Sequence, residues 1–196
     1  LNILGFKNPD FTLLSWLKIA FFAPFKLLTN WETYDVYLVE MGIDSPKSPK
    51  NMSYLLSIIK PDLGVFLNVT PVHLENFSSL DQIAQEKAKL VNSTATAIIN
   101  KSDPLVKKYT YNKNTIPIKA VKIDIPNFVL PGIYDISLGA ALAIAKYFNL
   151  DNSASINNIK NNFRLPPGRS SILKGINNSI IIDSSYNSSP LATSEM

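Results

Sequence analysis

Residues Asp62–Val91, DLGVFLNVTPVHLENFSSLDQIAQEKAKLV, constrain the fold more than any other stretch. Asp62–Val69 is an apolar run of the length of a buried strand. Thr70–Phe77 is a loop that holds the only histidine of the sequence, His73. A helix then begins near Ser78 or Ser79, both good N-caps, and sets Leu80, Ile83, Ala84, Leu90 and Val91 on one face at helical period. Thr94–Ile99 reads as the next strand. Strand, helix and strand in that order predict an α/β fold with a mostly parallel sheet and flanking helices.

Lys87 falls on the apolar face of that helix, one turn after Ile83 and Ala84, whereas Glu86 and Lys89 are expected on the solvent side. A lysine on a core-facing stripe has two explanations. Its stem lies along apolar surface while the ammonium reaches water. Alternatively it is held in a site, where burial makes the amine easy to deprotonate and modify.

The totals narrow the function classes. With 196 residues, 46% hydrophobic and 17% charged, the chain has enough material for one good core and part of another. The net charge of +4 comes from scattered lysines rather than a basic run interleaved with aromatics, so nothing points to nucleic acid. Cysteine is absent, which excludes disulfides and thiolate zinc sites and suits a cytoplasmic location. No secretory signal is evident. The chain starts at Leu1 and stops at Met196 within what reads as a helix start, so a fragment of a longer protein is expected.

Upstream, residues 11–28 are the most hydrophobic stretch, interrupted by Lys18, Pro24 and Lys26. No stable membrane span is expected there. A buried helix under the sheet is the favoured expectation, with peripheral contact to a membrane surface through residues 11–28 as the other. Tyr34–Met41 reads as a strand that ends in Glu40, a carboxylate at a strand exit. Asn51–Lys60 is a predicted helix ending before Pro61. Beyond Ile99 come a turn, Asn100–Pro104, and a mixed region with strand character over Ile116–Ile123. Helices follow at Ile136–Phe148 and Ser155–Phe163, then a strand at Ser179–Asp183.

Asn68-Val-Thr-Pro-Val-His73, followed by Ile83-Ala-Gln-Glu-Lys87, resembles the centre of the Mur ligases, ATP-dependent enzymes that build the peptide of bacterial cell-wall precursors. The resemblance runs from about Tyr34 to Pro190. It implies a P-loop-NTPase-like central domain over residues 1–164 and the start of a Rossmann-like C-terminal ligase domain over 165–196. The phosphate loop Gly-x-x-Gly-Lys-Thr is not in the sequence; in the family it lies upstream.

The resemblance also implies roles. Glu40, in Glu-Met-Gly, and His73 would bind magnesium, and Lys87 would be carbamylated, presenting carboxylate-like oxygens to the same ion. Asn68, Asn100 and Asp103 would lie at the ATP site, with Ser102 departing from the family's Asn-x-Asp-Asp-Pro. Arg169, in Pro-Gly-Arg, would reach the terminal phosphate of ATP; its planar fork of donors suits phosphate oxygens. Asp183 would act in catalysis, and Tyr186 and Asn187 in substrate binding. Asp183-Ser-Ser-Tyr-Asn resembles the signature of the branch that adds D-alanyl-D-alanine to a UDP-MurNAc-peptide through an acyl phosphate, with Ser184 replacing an Asp. Tyr134-Asp135 and Leu138 depart from a segment that contacts adenine in the family, so no adenine contact is assigned to it here. The competing expectations are another Mur-type or folylpolyglutamate-type amide ligase, and a non-catalytic relative that kept the fold.

Overall fold

The computed structural model describes residues 12–29, 35–125, 134–164 and 171–183, with Leu130, Gly132, Gly168 and Ser185. The chain divides into two compact units, Leu1–Glu40 and Met41–Met196.

The first unit holds helix α1, Leu13–Thr29, with Pro24 inside it. The first unit does not by itself bury the helix: Leu13, Leu14, Leu17, Phe21, Phe22, Phe25 and Leu28 are exposed. Residues 36–40 take no regular structure where a strand was expected. The alternation is present, but neither sheet among the described residues includes them, and a strand exists only as part of a ladder.

The second unit is built on the predicted strand–helix–strand. Helix α2, Met52–Ile58, precedes strand β1, Leu63–Phe66. Helix α3, Leu80–Asn92, connects β1 to strand β2, Thr96–Ile99, which runs parallel to it with Phe66 opposite Ile99. Helix α4, Pro104–Tyr109, leads to β3, Thr115–Pro117, again parallel to β2. The sheet order is β1-β2-β3. Strand β2 is buried along its whole length. Ala97 and Ile99 pack with Ala84, Ala88 and Val91 of α3 and Val106 of α4. Ile98 faces the other way, with Ile118 and Ala140 of helix α5, Tyr134–Tyr147. Helices on both faces explain why β2 reads as a continuous apolar run.

Two glycines mark close approaches between a helix and the sheet side of the unit. A Cβ on Gly64 of β1 would lie 2.9 Å from Thr94 Oγ1 and 3.0 Å from Val91 Cα. One on Gly139 of α5 would lie 1.9 Å from the Lys119 carbonyl oxygen. Leu138, at the departure from the family pattern, is buried with Ile123 and Ile125. It serves the core.

Helix α6, Asn152–Asn162, is capped by Asp151. Beyond it, strand β4, Ser171–Lys174, pairs antiparallel with β5, Ile180–Asp183, as a sheet of their own. Strand β4 was not foreseen. The turn between the strands uses Asn177 and Asn178 with φ of 54° and 59°, a conformation that Asn tolerates better than most residues. The expected domain junction at 164/165 falls between α6 and this hairpin.

Candidate active site

Helix α3 is capped by Ser79, whose side chain accepts from Gln82 N–H. It is buried on two sides. Ala84, Ala88 and Val91 face the sheet. Ile83 packs with Ile43, Met52 and Phe77, and Leu90 joins them. Lys87 lies on the seam between those sides and is half-buried. Side chains on a helix lean toward its N-terminus, which here is the end nearer the carboxyl edge of the sheet. Burial lowers the Lys87 amine below the ordinary lysine value, and the nearby Asp103 carboxylate raises it in part.

Asp103 sits just beyond β2. Its Oδ1 accepts from Leu105 N–H at 2.8 Å and Val106 N–H at 3.0 Å, capping α4. Its Oδ2 accepts from Val69 N–H at 2.9 Å. Asn100, at the end of β2, is buried, and its Oδ1 accepts from Ser102 N–H at 3.0 Å. Asn68 is exposed two residues after β1. The parallel register therefore places Asn68, Asn100 and Asp103 together at the carboxyl edge of the sheet, where open α/β sheets bind ligands. Asp103 and Asn100 also hold the backbone there, which the motif alone does not reveal.

The His73 loop is fixed at both ends. Val69 is tied to Asp103 at its start, and Phe77 is buried among Ile43, Met52 and Ile83 at its finish. Between them His73 has φ of 54°. Its carbonyl accepts from Asn76 N–H at 2.9 Å and Phe77 N–H at 3.2 Å. A non-glycine residue in this conformation costs about 1 kcal/mol or more and is concentrated at functional sites. The ring is exposed, with Nε2 3.4 Å from Asp44 Oδ1 and Nδ1 3.8 Å from Glu75 Oε1. Asp44 was missed by sequence reasoning; its only signal was an acidic residue four positions after Glu40.

Glu86 is a correction. Expected in solvent, it is 5% exposed. Its Oε1 accepts from Met52 N–H at 2.9 Å, in the first turn of α2, and its Oε2 meets Lys89 Nζ at 2.6 Å. Lys89 also reaches Ser53 Oγ at 3.2 Å. The helix period counted α3 as one-sided, and α2 covers the second side.

Glu40 is exposed at the end of the first unit, so the expected magnesium set of Glu40, His73 and Lys87 is divided between the units. Among the described residues no three His, Cys, Asp or Glu side chains are gathered to hold a metal ion. The donor chemistry still suits a hard cation in the second unit. An imidazole beside a carboxylate is available, and an amine that loses its proton early can take up carbon dioxide and become an oxygen donor. Asp183 ends β5, and Ser185 holds its carboxyl below the usual range by donating hydrogen bonds, the backbone one at 3.0 Å. Arg169, Tyr186, Asn187 and Tyr34 lie outside the described residues.

Comparison with known proteins places this arrangement. The model of the Mur ligase middle domain matches residues 23–160. A UDP-N-acetylmuramoyl-tripeptide--D-alanyl-D-alanine ligase of Mycobacterium leprae is 34% identical over 86 residues, 42% of this chain and 16% of that protein. A UDP-N-acetylmuramoylalanine--D-glutamate ligase of Pseudothermotoga lettingae is 37% identical over 67 residues, 32% of this chain and 16% of that protein. The matched regions thus span about a sixth of the length of these relatives. Among solved structures, the MurF ligase of Thermotoga maritima in complex with ADP superposes with a TM-score of 0.68 at 20% identity, covering 88% of this chain and 46% of that one. MurF of Acinetobacter baumannii gives 0.62 at 17% identity, over 72% and 38%. These two likenesses concern the fold. The family model covers well over half of the sequence, and its segment includes the parallel sheet, the pinned histidine loop and the helix of Lys87: the chain belongs to the Mur ligase family and carries its middle domain.

Proposed function

We propose that this chain is the nucleotide-handling centre of an ATP-dependent amide ligase of peptidoglycan precursor synthesis, one that joins D-alanyl-D-alanine to a UDP-MurNAc-peptide. The observation that carries the reading is Lys87, half-buried, with an amine that burial makes easier to deprotonate, an effect that the Asp103 carboxylate only partly offsets. A neutral amine is the form that reacts with carbon dioxide, so this environment favours carbamylation.

In this reading His73 and the modified Lys87 hold magnesium. The ion would neutralise the phosphate charge that builds up as the terminal phosphoryl group of ATP moves to a carboxylate. Asn68, Asn100 and Asp103 form the rim against which ATP lies. Arg169 adds donors for the phosphate. Asp183, Tyr186 and Asn187 serve the incoming amine substrate. The cytoplasm, where ATP and the nucleotide-linked peptide are found, is the matching location.

The test uses the full-length protein with the UDP-linked tripeptide and magnesium-ATP. ADP release should require D-alanyl-D-alanine, be lost in Lys87→Ala, and return when short carboxylic acids are added. A second reading, addition of D-glutamate, is favoured by the D-glutamate ligase among the relatives. ADP release with UDP-MurNAc-L-alanine and D-glutamate, and none with D-alanyl-D-alanine, would establish it instead. No ADP release with either substrate pair would leave the non-catalytic relative as the answer.

A further inference from the structure

The loop that begins at Asp44 and the loop that carries His73 are anchored to the same small core. Ile43, directly before Asp44, and Phe77, at the end of the His73 loop, are both buried and pack with Met52 and Ile83. Asp44 N–H donates to the Lys50 carbonyl at 3.1 Å, which closes the first loop. Asn51 caps α2 and also donates from its side-chain amide to the Pro46 carbonyl at 3.2 Å. The His73 carbonyl is taken up by the Asn76 and Phe77 N–H groups. Both backbones are thus fixed beside each other within one compact unit. The approach of the two side chains follows from that packing.

The two nitrogens of the His73 ring have different surroundings. Nε2 lies 3.4 Å from Asp44 Oδ1, a separation that a small rotation of the exposed carboxylate closes to a hydrogen bond. Nδ1 lies 3.8 Å from Glu75 Oε1, outside hydrogen-bond range. Lys50 Nζ approaches the other oxygen of Asp44, Oδ2, at 3.9 Å, so Oδ1 stays available to the imidazole. A neutral imidazole carries one N–H, and the nitrogen that donates leaves the lone pair on the other. Histidines that ligate metals nearly always give their second nitrogen's proton to a carboxylate, a carbonyl or water, which fixes both the tautomer and the plane of the ring. Asp44 stands where such an acceptor is needed. Resting on the reading of His73 as a magnesium ligand, we propose that Asp44 is its positioning residue: Oδ1 accepts the hydrogen bond from Nε2–H and so presents the Nδ1 lone pair to the cation.

His73 is the only histidine of the sequence, so every imidazole signal in a nitrogen-labelled full chain belongs to it. In mildly alkaline buffer the nitrogen shifts should show Nε2–H as the main tautomer. Asp44→Ala should change the tautomer ratio and Glu75→Gln should not. Asp44→Asn keeps an acceptor oxygen and should hold most of the wild-type ratio. Manganese in place of magnesium should broaden the imidazole signals. Its affinity, read from the electron paramagnetic resonance of the free ion, should fall about tenfold or more in Asp44→Ala and less in Asp44→Asn. Both side chains are exposed, so circular dichroism should be unchanged across the variants. A tautomer ratio that ignores Asp44→Ala overturns the proposal even where affinity falls, because Asp44 would then be a ligand in its own right. If manganese still broadens the signals in that case, the magnesium reading of His73 stands and only the role of Asp44 is lost. A ratio that responds to Asp44→Ala without any broadening by manganese overturns the magnesium reading, and the presentation of Nδ1 with it.

Discussion

Asp103 Oδ2 accepts a hydrogen bond from the Val69 backbone N–H at 2.9 Å, across 34 positions of sequence. That one contact joins the exit of β1 to the start of α4, because Oδ1 caps the helix at the same time. It fixes the origin of the loop that carries His73. Asp103→Ala should lose the helix cap and leave the Val69 donor without its partner, together about 2–3 kcal/mol. Asp103→Asn keeps one acceptor oxygen and should cost about 1 kcal/mol. Urea unfolding of the two variants against wild type checks both the size and the order.

Glu86 makes a second bolt, between α3 and α2. Glu86→Ala leaves the Met52 N–H of α2 and the Lys89 ammonium without their carboxylate. The expected loss is about 2–3 kcal/mol, since Glu86 is buried and the α2 donor is left in a dry site. Glu86→Gln retains an acceptor for Met52 and should cost about half of that. Lys89→Ala should be milder still, because its side chain is partly exposed and its loss leaves Glu86 bonded to Met52. The urea midpoints should rank in that order.

Why some of this was legible and some was not follows from the same residues. The Asp62–Val91 unit was readable because one period governed each element: a continuous apolar run for β1, a 3.6-residue repeat for α3, and a serine cap between loop and helix. Lys87 stood out as a break in that repeat. Glu86 did not, because a second buried side on α3 depends on α2, which sequence spacing within α3 cannot report. Tyr34–Met41 alternates like a strand, but alternation says nothing about whether a neighbour exists to pair with it. Residues 13–28 are apolar enough for a core, but what covers a helix is decided by tertiary context that its own spacing does not report. Asn100 and Asp103 were read as ligand-binding residues from a motif. Their hydrogen bonds to Ser102, Val69, Leu105 and Val106 show work in the backbone that a motif does not encode.

Helix α5 rests so close to the strand side of the molecule that Gly139 has no room for a methyl group. The Cβ of an alanine would lie 1.9 Å from the Lys119 carbonyl oxygen. Backbone cannot move aside cheaply, so α5 must shift off Ile118. Gly139→Ala should destabilise by about 2–3 kcal/mol despite the better helix propensity of alanine. Gly64→Ala meets a side-chain oxygen at 2.9 Å and the Val91 Cα at 3.0 Å, and should cost somewhat less. Thermal unfolding followed by circular dichroism distinguishes them.

Lys87 offers the sharpest test, because its effects on stability and on activity should have opposite signs. Burial holds its amine below the ordinary lysine value of 10.5. Between the folded value and 10.5 the unfolded chain therefore binds more protons than the native one, and stability from this group rises with pH through that window. Below the window the penalty for burying the cation is present in full. Lys87→Met keeps the length and removes the charge. In carbon-dioxide-free buffer at neutral pH it should gain about 0.5–1 kcal/mol over wild type while losing the proposed ligase activity in the full-length protein. The advantage should shrink as pH climbs toward 10.5. Bicarbonate should then raise the unfolding midpoint of wild type, because a ligand that modifies only the native amine stabilises the native state. The methionine variant should not respond, and a bicarbonate effect of equal size in both would show that the carbamate forms elsewhere.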